Sequence, residues 1–153
     1  MKDFWDPATF KTKGSRSTAC EQALAAAFQL IADQDHPRNV DRARCNPTIV
    51  VRENGQERRR RPDVFVEFFG QLGPERARAV EFQVKIYEAG HSVDASDLRS
   101  SFELLECGAS DLLYLIMTGA GLTGQARMEI NTFQNRVMGL QPINETQLLA
   151  LVL

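Results

Sequence analysis

The hydrophobic and polar positions form a helical pattern near the start of the chain. Apolar residues recur three or four positions apart over residues 24–31, which predicts one buried stripe of an α-helix. Thr18 and Glu21 have the spacing of a capping box, so we expect this helix to begin at Thr18. Residues 1–16 have no periodicity and predict an irregular arm, and the polar residues 33–47 predict a loop.

An alternating pattern then predicts three consecutive strands. Residues 48–52 are a β-branched run that leads into Asn54 and Gly55, a pair typical of tight hairpin turns. We expect the return strand to carry residues 58–61, then Pro62, then residues 63–69. The third strand is predicted over residues 79–86, where apolar and polar residues alternate.

The second half of the chain predicts a helix, a buried strand and further helices. Residues 97–106 carry apolar positions at helical spacing, and residues 112–117 are an apolar run short enough for a central strand. Residues 118–121 predict a break in this strand, after which a helix resumes near Thr123. Residues 148–153 predict a helical tail.

This order of elements predicts an α/β or α+β domain. Three antiparallel strands, followed by a helical crossover to a fourth strand, form a central mixed sheet flanked by helices. The chain contains no internal repeat and no second compositional block. We therefore expect one domain over residues 17–153, preceded by the arm over residues 1–16.

Composition narrows the class of protein. The chain has 153 residues, of which 43% are hydrophobic and 25% are charged, as in an ordinary soluble domain. No apolar run approaches the roughly 20 residues of a membrane helix, and the first residues lack the apolar stretch of a signal peptide. Its three cysteines are far apart and form no CxxC pair. We expect a cytoplasmic protein with free thiols and no membrane contact.

A net charge of −2 argues against a protein that coats nucleic acid by bulk electrostatics. It leaves a nucleic-acid enzyme open, because local clusters of charge matter more than their sum.

Polar side chains share one face of the third predicted strand. Glu81, Gln83 and Lys85 point the same way because strand side chains alternate, and Asp63 stands on the adjacent predicted strand. A carboxylate and an amide oxygen can hold Mg²⁺, and a lysine can orient water or stabilise the charge of a phosphate under attack. A solvated sheet face would give the same alternation, so both interpretations stay open here.

These residues resemble the signature of a known superfamily, carried here by Pro62-Asp63 and Gln83-Val84-Lys85. The PD-(D/E)XK nucleases share this pattern, and glutamine in place of the second acid is typical of Mrr-type restriction endonucleases. Residues 113–126 resemble the strand, Thr-Gly turn and helix start of that branch, and residues 140–151 resemble its closing element. The resemblance implies a restriction-endonuclease-like core with the order αβββαβ and a helical C-terminal tail.

The resemblance also implies an activity and a cofactor. It predicts a Mg²⁺-dependent endonuclease that cuts DNA in defence against foreign DNA, with Mn²⁺ able to substitute. It assigns catalysis to Asp63, Gln83 and Lys85, and metal binding to Asp63 and Gln83. Glu21 is a candidate third ligand, with a purely capping role as the alternative. Glu81 is a further catalytic candidate that could return the charge lost at Gln83.

Four consecutive arginines, Arg58, Arg59, Arg60 and Arg61, lead into the predicted site. Guanidinium groups bind phosphates bidentately, so we expect these side chains to contact the nucleic-acid backbone, although an exposed charged arm is the alternative. If the strand stays regular, Arg59 and Arg61 share the face of Asp63. Because one active site cuts only one strand of a duplex, we expect a homodimer or a partner subunit that also supplies specificity. The resemblance favours DNA over RNA.

Two other functions are compatible with the sequence. A catalytically inactive nuclease-fold subunit could act as a nucleic-acid- or protein-binding scaffold, because the neutral ligand Gln83 weakens Mg²⁺ affinity. A small protein-binding regulator unrelated to nucleases could carry the motif by chance. Metal-dependent cleavage separates the nuclease from both.

Overall fold

The structure is a computed structural model that describes residues 13–34, 40–69, 78–136, 140–143 and 147. The helices are α1 (Lys13–Asp33), α2 (Ala95–Arg99), α3 (Glu103–Glu106) and α4 (Gly124–Arg136), and a 3₁₀ turn, Ser100–Phe102, joins α2 to α3. The strands are β1 (Val40–Cys45), β2 (Ile49–Glu53), β3 (Gln56–Arg60), β4 (Val64–Phe68), β5 (Ala79–Val93), β6 (Leu112–Leu122) and β7 (Leu140–Ile143).

Five of these strands form a central mixed sheet in the order β1-β4-β5-β6-β7. β4 pairs antiparallel with both β1 and β5, whereas β6 pairs parallel with both β5 and β7. The parallel pairs are connected through helices, because a parallel strand needs a crossover. The predicted α+β fold with a mixed central sheet flanked by helices is confirmed.

Each face of the sheet is covered by an apolar layer. On one face, α1 packs against alternate residues of β4 and β5, and the rings of Phe28 and Phe82 lie 5.3 Å apart. On the other face, α2, the 3₁₀ turn, α3 and α4 cover β5 and β6, and the rings of Phe102 and Phe133 lie 4.3 Å apart. Because strand side chains alternate, odd-numbered residues of β5 point towards this second layer. No helix within the described residues is long and apolar enough to cross a bilayer.

The first helix starts earlier than predicted. α1 begins at Lys13, so residues 13–16 of the predicted arm are helical and the capping box from Thr18 to Glu21 is wrong. Ser17 Oγ instead donates a hydrogen bond of 2.8 Å to Glu21 Oε1, one turn further on. Such a pair stabilises the helix. This stretch has no apolar stripe from which the helix could have been predicted. Residues 1–12 of the arm lie outside the described residues.

The predicted loop over residues 33–47 is wrong where β1 runs. This edge strand has few apolar residues, and ion pairs across the sheet hold it instead. Arg42 Nη2 and Arg44 Nη2 lie 3.0 and 2.9 Å from the carboxylate of Glu67 on β4. The partner of both arginines is distant in the sequence, so the local pattern alone could not indicate a strand.

The Asn-Gly hairpin is confirmed, but its place in the fold was predicted wrongly. Asn54 and Gly55 have φ angles of 50° and 77°, the left-handed values that a tight hairpin turn requires. β2 and β3 form a separate two-stranded sheet, so the expectation that the hairpin supplies strands of the central sheet is wrong. The predicted strand over residues 58–69 is interrupted because Pro62 has no N–H for a ladder. Between α1 and α2 the central sheet therefore takes β1, β4 and β5.

Two strands extend beyond their predicted ends. β5 continues to Val93 and β6 to Leu122, so the predicted break over residues 118–121 is wrong. The two strands pair from Val80 to Ile86 and again from His91 to Val93, with a shift in register between these two stretches. Each strand provides the backbone hydrogen-bond partners of the other. Residues 118–121 therefore remain in a strand although this segment contains glycine.

The helical predictions of the second half are met in part. The predicted helix over residues 97–106 begins at Ala95 and is divided by the 3₁₀ turn. The helix expected near Thr123 is confirmed as α4, and Thr123 Oγ1 accepts a hydrogen bond of 3.1 Å from the backbone N–H of Ala126. β7 was not predicted as a strand. The tail over residues 148–153 lies outside the described residues.

Candidate active site

Asp63 lies between the hairpin and the central sheet, immediately after the buried Pro62 and before β4. Its Oδ2 accepts a hydrogen bond of 2.6 Å from the backbone N–H of Val84 on β5. Its carbonyl oxygen accepts another, of 2.8 Å, from the backbone N–H of Asn46. These two bonds fix the carboxylate beside the middle of β5.

β5 brings the other sequence-predicted residues to the same place. Val64 pairs with Phe82, so the antiparallel register continues from Asp63 towards Gln83. Glu81, Gln83 and Lys85 alternate with the apolar residues that face α1. Glu81 is fully buried, whereas Gln83 and Lys85 are half-buried.

Burial and charged groups on α1 and β5 change the pKa of Asp63. The pKa of Asp63 is raised to about 6, mainly by burial and also by the nearby carboxylate of Glu21 on α1. The hydrogen bond from Val84 and the ammonium group of Lys85 act in the opposite direction. Glu21 and Lys85 are therefore both close enough to Asp63 to change the energy of its charged form.

Glu21 is held in place by both of its oxygens. Oε1 accepts the hydrogen bond from Ser17, and Oε2 accepts one of 2.9 Å from the side-chain amide of Asn46. Asn46 follows β1 with a φ of 49°, a left-handed value that asparagine tolerates better than most residues. Sequence reasoning missed Asn46 because it missed β1. Its backbone and side chain together hold Asp63 and Glu21.

Glu81 is a buried carboxyl with one unused oxygen. Oε1 accepts a hydrogen bond of 3.0 Å from Ser110 Oγ, and Oε2 has no partner within the described part of the chain. The pKa of Glu81 is raised to about 8, mainly by burial and also by the charge of Asp63, whereas hydrogen bonds from the Ser110 hydroxyl and the Leu105 backbone act against the rise. The interpretation of this strand face as solvated is thus wrong at Glu81.

The four arginines divide into two groups. Arg58 is exposed and pairs with Glu53 at 3.2 Å, whereas Arg60 lies between Glu53 at 3.6 Å and Glu103 at 2.7 Å. Arg59 and Arg61 are exposed and form no ion pair with any described residue. Because β3 ends at Arg60, the expectation that one regular strand gives Arg59, Arg61 and Asp63 a common face is wrong.

A cavity of about 350 Å³ lies beside these residues, under the segment from the 3₁₀ turn to α3. It is lined by Arg59, Arg60, Arg61, Pro62, Glu81, Gln83, Ser100, Ser101, Glu103 and Leu104. Three of the four predicted arginines thus meet Gln83 and Glu81 here, and Arg58 does not. Sequence reasoning missed the serines, which carry no motif and reach the cavity only through the fold.

The donor set fits a hard divalent cation. Within the described residues, no group of three or more His, Cys, Asp or Glu side chains could hold a metal ion. Mg²⁺ needs only one or two carboxylates, because it retains several waters. Asp63 keeps Oδ1 outside its bond to Val84, Gln83 offers an amide oxygen, and a cation would relieve the repulsion between Asp63 and Glu21.

Comparison with known proteins gives distant structural matches. No family model and no curated protein matches this chain. The MspJI restriction endonuclease, solved with a 27-mer oligonucleotide, is 18% identical over 91% of this chain with a TM-score of 0.43. A protein of unknown function, AF1548, is 10% identical over 79% of this chain with a TM-score of 0.42. This chain spans 31% of the former and 58% of the latter.

Proposed function

We propose that this chain is a Mg²⁺-dependent endonuclease that hydrolyses phosphodiester bonds in DNA, with Mn²⁺ able to substitute. The observation that supports this most is that the charges of Glu21 on α1 and Lys85 on β5 both act on Asp63, whose Oδ2 is held by the backbone N–H of Val84. A solvated strand face requires no such arrangement. The resemblance to Mrr-type PD-(D/E)XK nucleases agrees with it and suggests a role in defence against foreign DNA.

Asp63 and Gln83 would hold the cation through carboxylate and amide oxygens. Both oxygens of Glu21 already accept hydrogen bonds, so we assign it to the edge of the site, where it adds negative charge next to Asp63. When bound, Mg²⁺ would neutralise charge on the scissile phosphate and make the attacking water more acidic.

Lys85 contributes a positive charge on the same side of β5. Its ammonium group lowers the pKa of Asp63, so a phosphate bound beside Asp63 would also experience this positive charge. We assign it two tasks: donating a hydrogen bond that orients the attacking water, and stabilising the negative charge that develops on the phosphate oxygens.

Arg59 and Arg61 supply the contact with the sugar-phosphate backbone. They are the exposed arginines of the run that lack an acidic partner within the described residues, so their guanidinium groups are available to phosphates. Such contacts carry no sequence information. A second copy of the chain would cut the other strand, and a partner subunit would choose the target.

The test is cleavage by the purified chain. Supercoiled plasmid, linear duplex, single-stranded DNA and RNA are each incubated with Mg²⁺, with Mn²⁺ and with chelator. We expect nicked or linear plasmid with either metal and no product with chelator. Chelator-resistant cleavage, or no cleavage of any substrate at high enzyme concentration, would contradict the proposal.

A non-catalytic scaffold is the second candidate. It is favoured by the neutral side chain of Gln83 and by the lack, within the described residues, of a cluster of three acidic ligands. A scaffold would bind nucleic acid or protein without cleaving it and would show no calorimetric signal with Mg²⁺. Metal binding together with cleavage excludes it.

A further inference from the structure

The cavity beside Gln83 contains polar atoms that the metal chemistry does not use. Ser101 is 2% exposed and Glu81 is fully buried, and both line the cavity. Ser101 Oγ and Glu81 Oε2 have no hydrogen-bond partner within the described residues. Buried polar atoms without partners are rare in folded proteins, so two in one cavity indicate a ligand with a complementary polar edge.

The entrance of the cavity differs from its interior in charge. Arg59 and Arg61 are exposed and have no acidic partner within the described part of the chain, whereas Arg60 is paired with Glu53 and Glu103. The two unpaired guanidinium groups favour an anion at the entrance, and a phosphate suits their planar donors. The ligand therefore carries an anionic group at one end and neutral polar groups at the other.

Part of the remaining wall is apolar. Pro62 and Leu104 are both buried and line the cavity. The ion pair between Arg60 Nε and Glu103 Oε2, at 2.7 Å, joins the hairpin to α3 and fixes the distance between the two walls. A volume of about 350 Å³ is at the lower end of the range for small-ligand sites.

We propose that this cavity is a subsite for one nucleoside monophosphate unit of the substrate strand, with the phosphate on Arg59 and Arg61 and the polar edge of the nucleoside on Ser101 and Glu81. The inference rests on the proposed nuclease function, because the cavity shares Gln83 with the candidate metal site. A nucleotide in this position has left its base stack, as happens when enzymes extrude a base or act on single strands. The subsite would thus favour single-stranded or locally opened substrate.

The experiment measures binding without metal, so that it does not depend on cleavage. The full chain in chelator is titrated with deoxynucleoside monophosphates, with the corresponding nucleosides and with inorganic phosphate, by calorimetry or by amide chemical shifts. We expect the monophosphate to bind at least about tenfold more tightly than either fragment, because it engages both ends of the cavity.

Two variants and two matched controls identify the contacts. Ser101→Ala should weaken monophosphate binding by about fivefold, as for one hydrogen bond. The double variant Arg59→Ala/Arg61→Ala should bind the monophosphate no better than the nucleoside. Ser92→Ala and Arg52→Ala/Arg58→Ala remove exposed side chains of the same types outside the cavity, and should leave binding unchanged.

The subsite is overturned if the monophosphate does not bind, if phosphate alone binds as well, or if the controls weaken binding as much as the variants. Plasmid cleavage by the same preparations separates the two proposals. A chain that cleaves DNA but binds no monophosphate overturns the subsite alone. A chain that binds the monophosphate through Ser101 but never cleaves overturns the nuclease and leaves the cavity as a nucleotide-binding site without cleavage.

Discussion

The two faces of β5 carry buried side chains of different chemistry. Towards α1, Phe82, Val84 and Ile86 are apolar and pack into one continuous cluster. Towards α3, Glu81 and Gln83 interrupt the apolar layer and open into a cavity. Glu81 is as fully buried as the apolar residues on the opposite face. Burial of a carboxyl group destabilises the folded state, whereas burial of a valine side chain stabilises it. The polar face thus has a cost in stability, which is typical of a functional site.

The largest expected effect of this difference is on catalysis. Asp63→Asn and Lys85→Met keep the shape of each side chain and remove its charge, and each should lower the cleavage rate by about 10²–10³ or more. Single-turnover cleavage of plasmid measures the rate, and circular dichroism verifies the fold.

The matched control lies on the α1 face. Ile116→Val should cost about 0.5–1.5 kcal/mol of unfolding free energy and leave the cleavage rate of the folded chain unchanged. Wild-type cleavage by both Asp63→Asn and Lys85→Met would remove these residues from the site.

The next effect concerns pH. The pKa of Glu81 is raised from 4.5 to about 8, so between these values the folded chain holds a proton that the unfolded chain has lost. The unfolding free energy therefore falls as pH rises across this window, by at most about 1.4 kcal/mol per pH unit. Asp63 acts in the same direction between 3.8 and about 6. Above about pH 6, Glu81 causes most of the change in unfolding free energy with pH.

Glu81→Gln should remove this slope, because an amide has no proton to lose. Urea unfolding of the metal-free chain at about pH 6.5 and about pH 8 measures it. We expect wild type to lose on the order of 1–2 kcal/mol over this interval and the variant to lose much less. Equal slopes in the two proteins would mean that Glu81 is not the buried acid responsible.

A smaller effect on metal affinity is expected at Gln83, the proposed amide ligand. Gln83→Glu replaces a neutral amide by a carboxylate, and hard cations prefer anionic oxygen. Mg²⁺ affinity should be retained or should increase by up to about tenfold, which is about 1.4 kcal/mol. Calorimetric titration of the folded variant with Mg²⁺ and Mn²⁺ decides this. A much weaker affinity would mean that Gln83 is not a ligand.

The sequence predicted those features whose cause is local. Asn54 and Gly55 indicate a hairpin because the turn requires left-handed backbone at those positions, and the alternation on β5 indicates which residues share a face. β1 could not be predicted in this way, because Glu67 of β4 holds its arginines. The ends of β5 and β6 depend in the same way on their mutual pairing.

The residues of the candidate site likewise differ in whether a local pattern could predict them. The positions of Asp63, Gln83 and Lys85 follow from a motif, whereas Asn46 and Ser101 enter through contacts between distant segments. Asn46 reaches Glu21 from 25 residues away, and Ser101 reaches Glu81's cavity through the turn between α2 and α3. Local patterns contain no information on such contacts, so these residues were found only in the structure.

The smallest expected effect is on nucleic-acid binding by the exposed arginines beside the cavity. If Arg59 and Arg61 contact phosphates rather than bases, the double alanine variant should weaken binding about equally on two unrelated duplexes. Each lost contact should also reduce the slope of log affinity against log salt by roughly 0.9, because fewer counterions are released. Arg52→Ala/Arg58→Ala, which removes two hairpin arginines that do not line the cavity, should change the slope less. A salt titration with fluorescent duplexes, in Ca²⁺ or chelator to prevent cleavage, measures both variants. An unchanged slope in the Arg59 and Arg61 variant would exclude these side chains from the interface, and a loss confined to one duplex would identify them as base-reading residues.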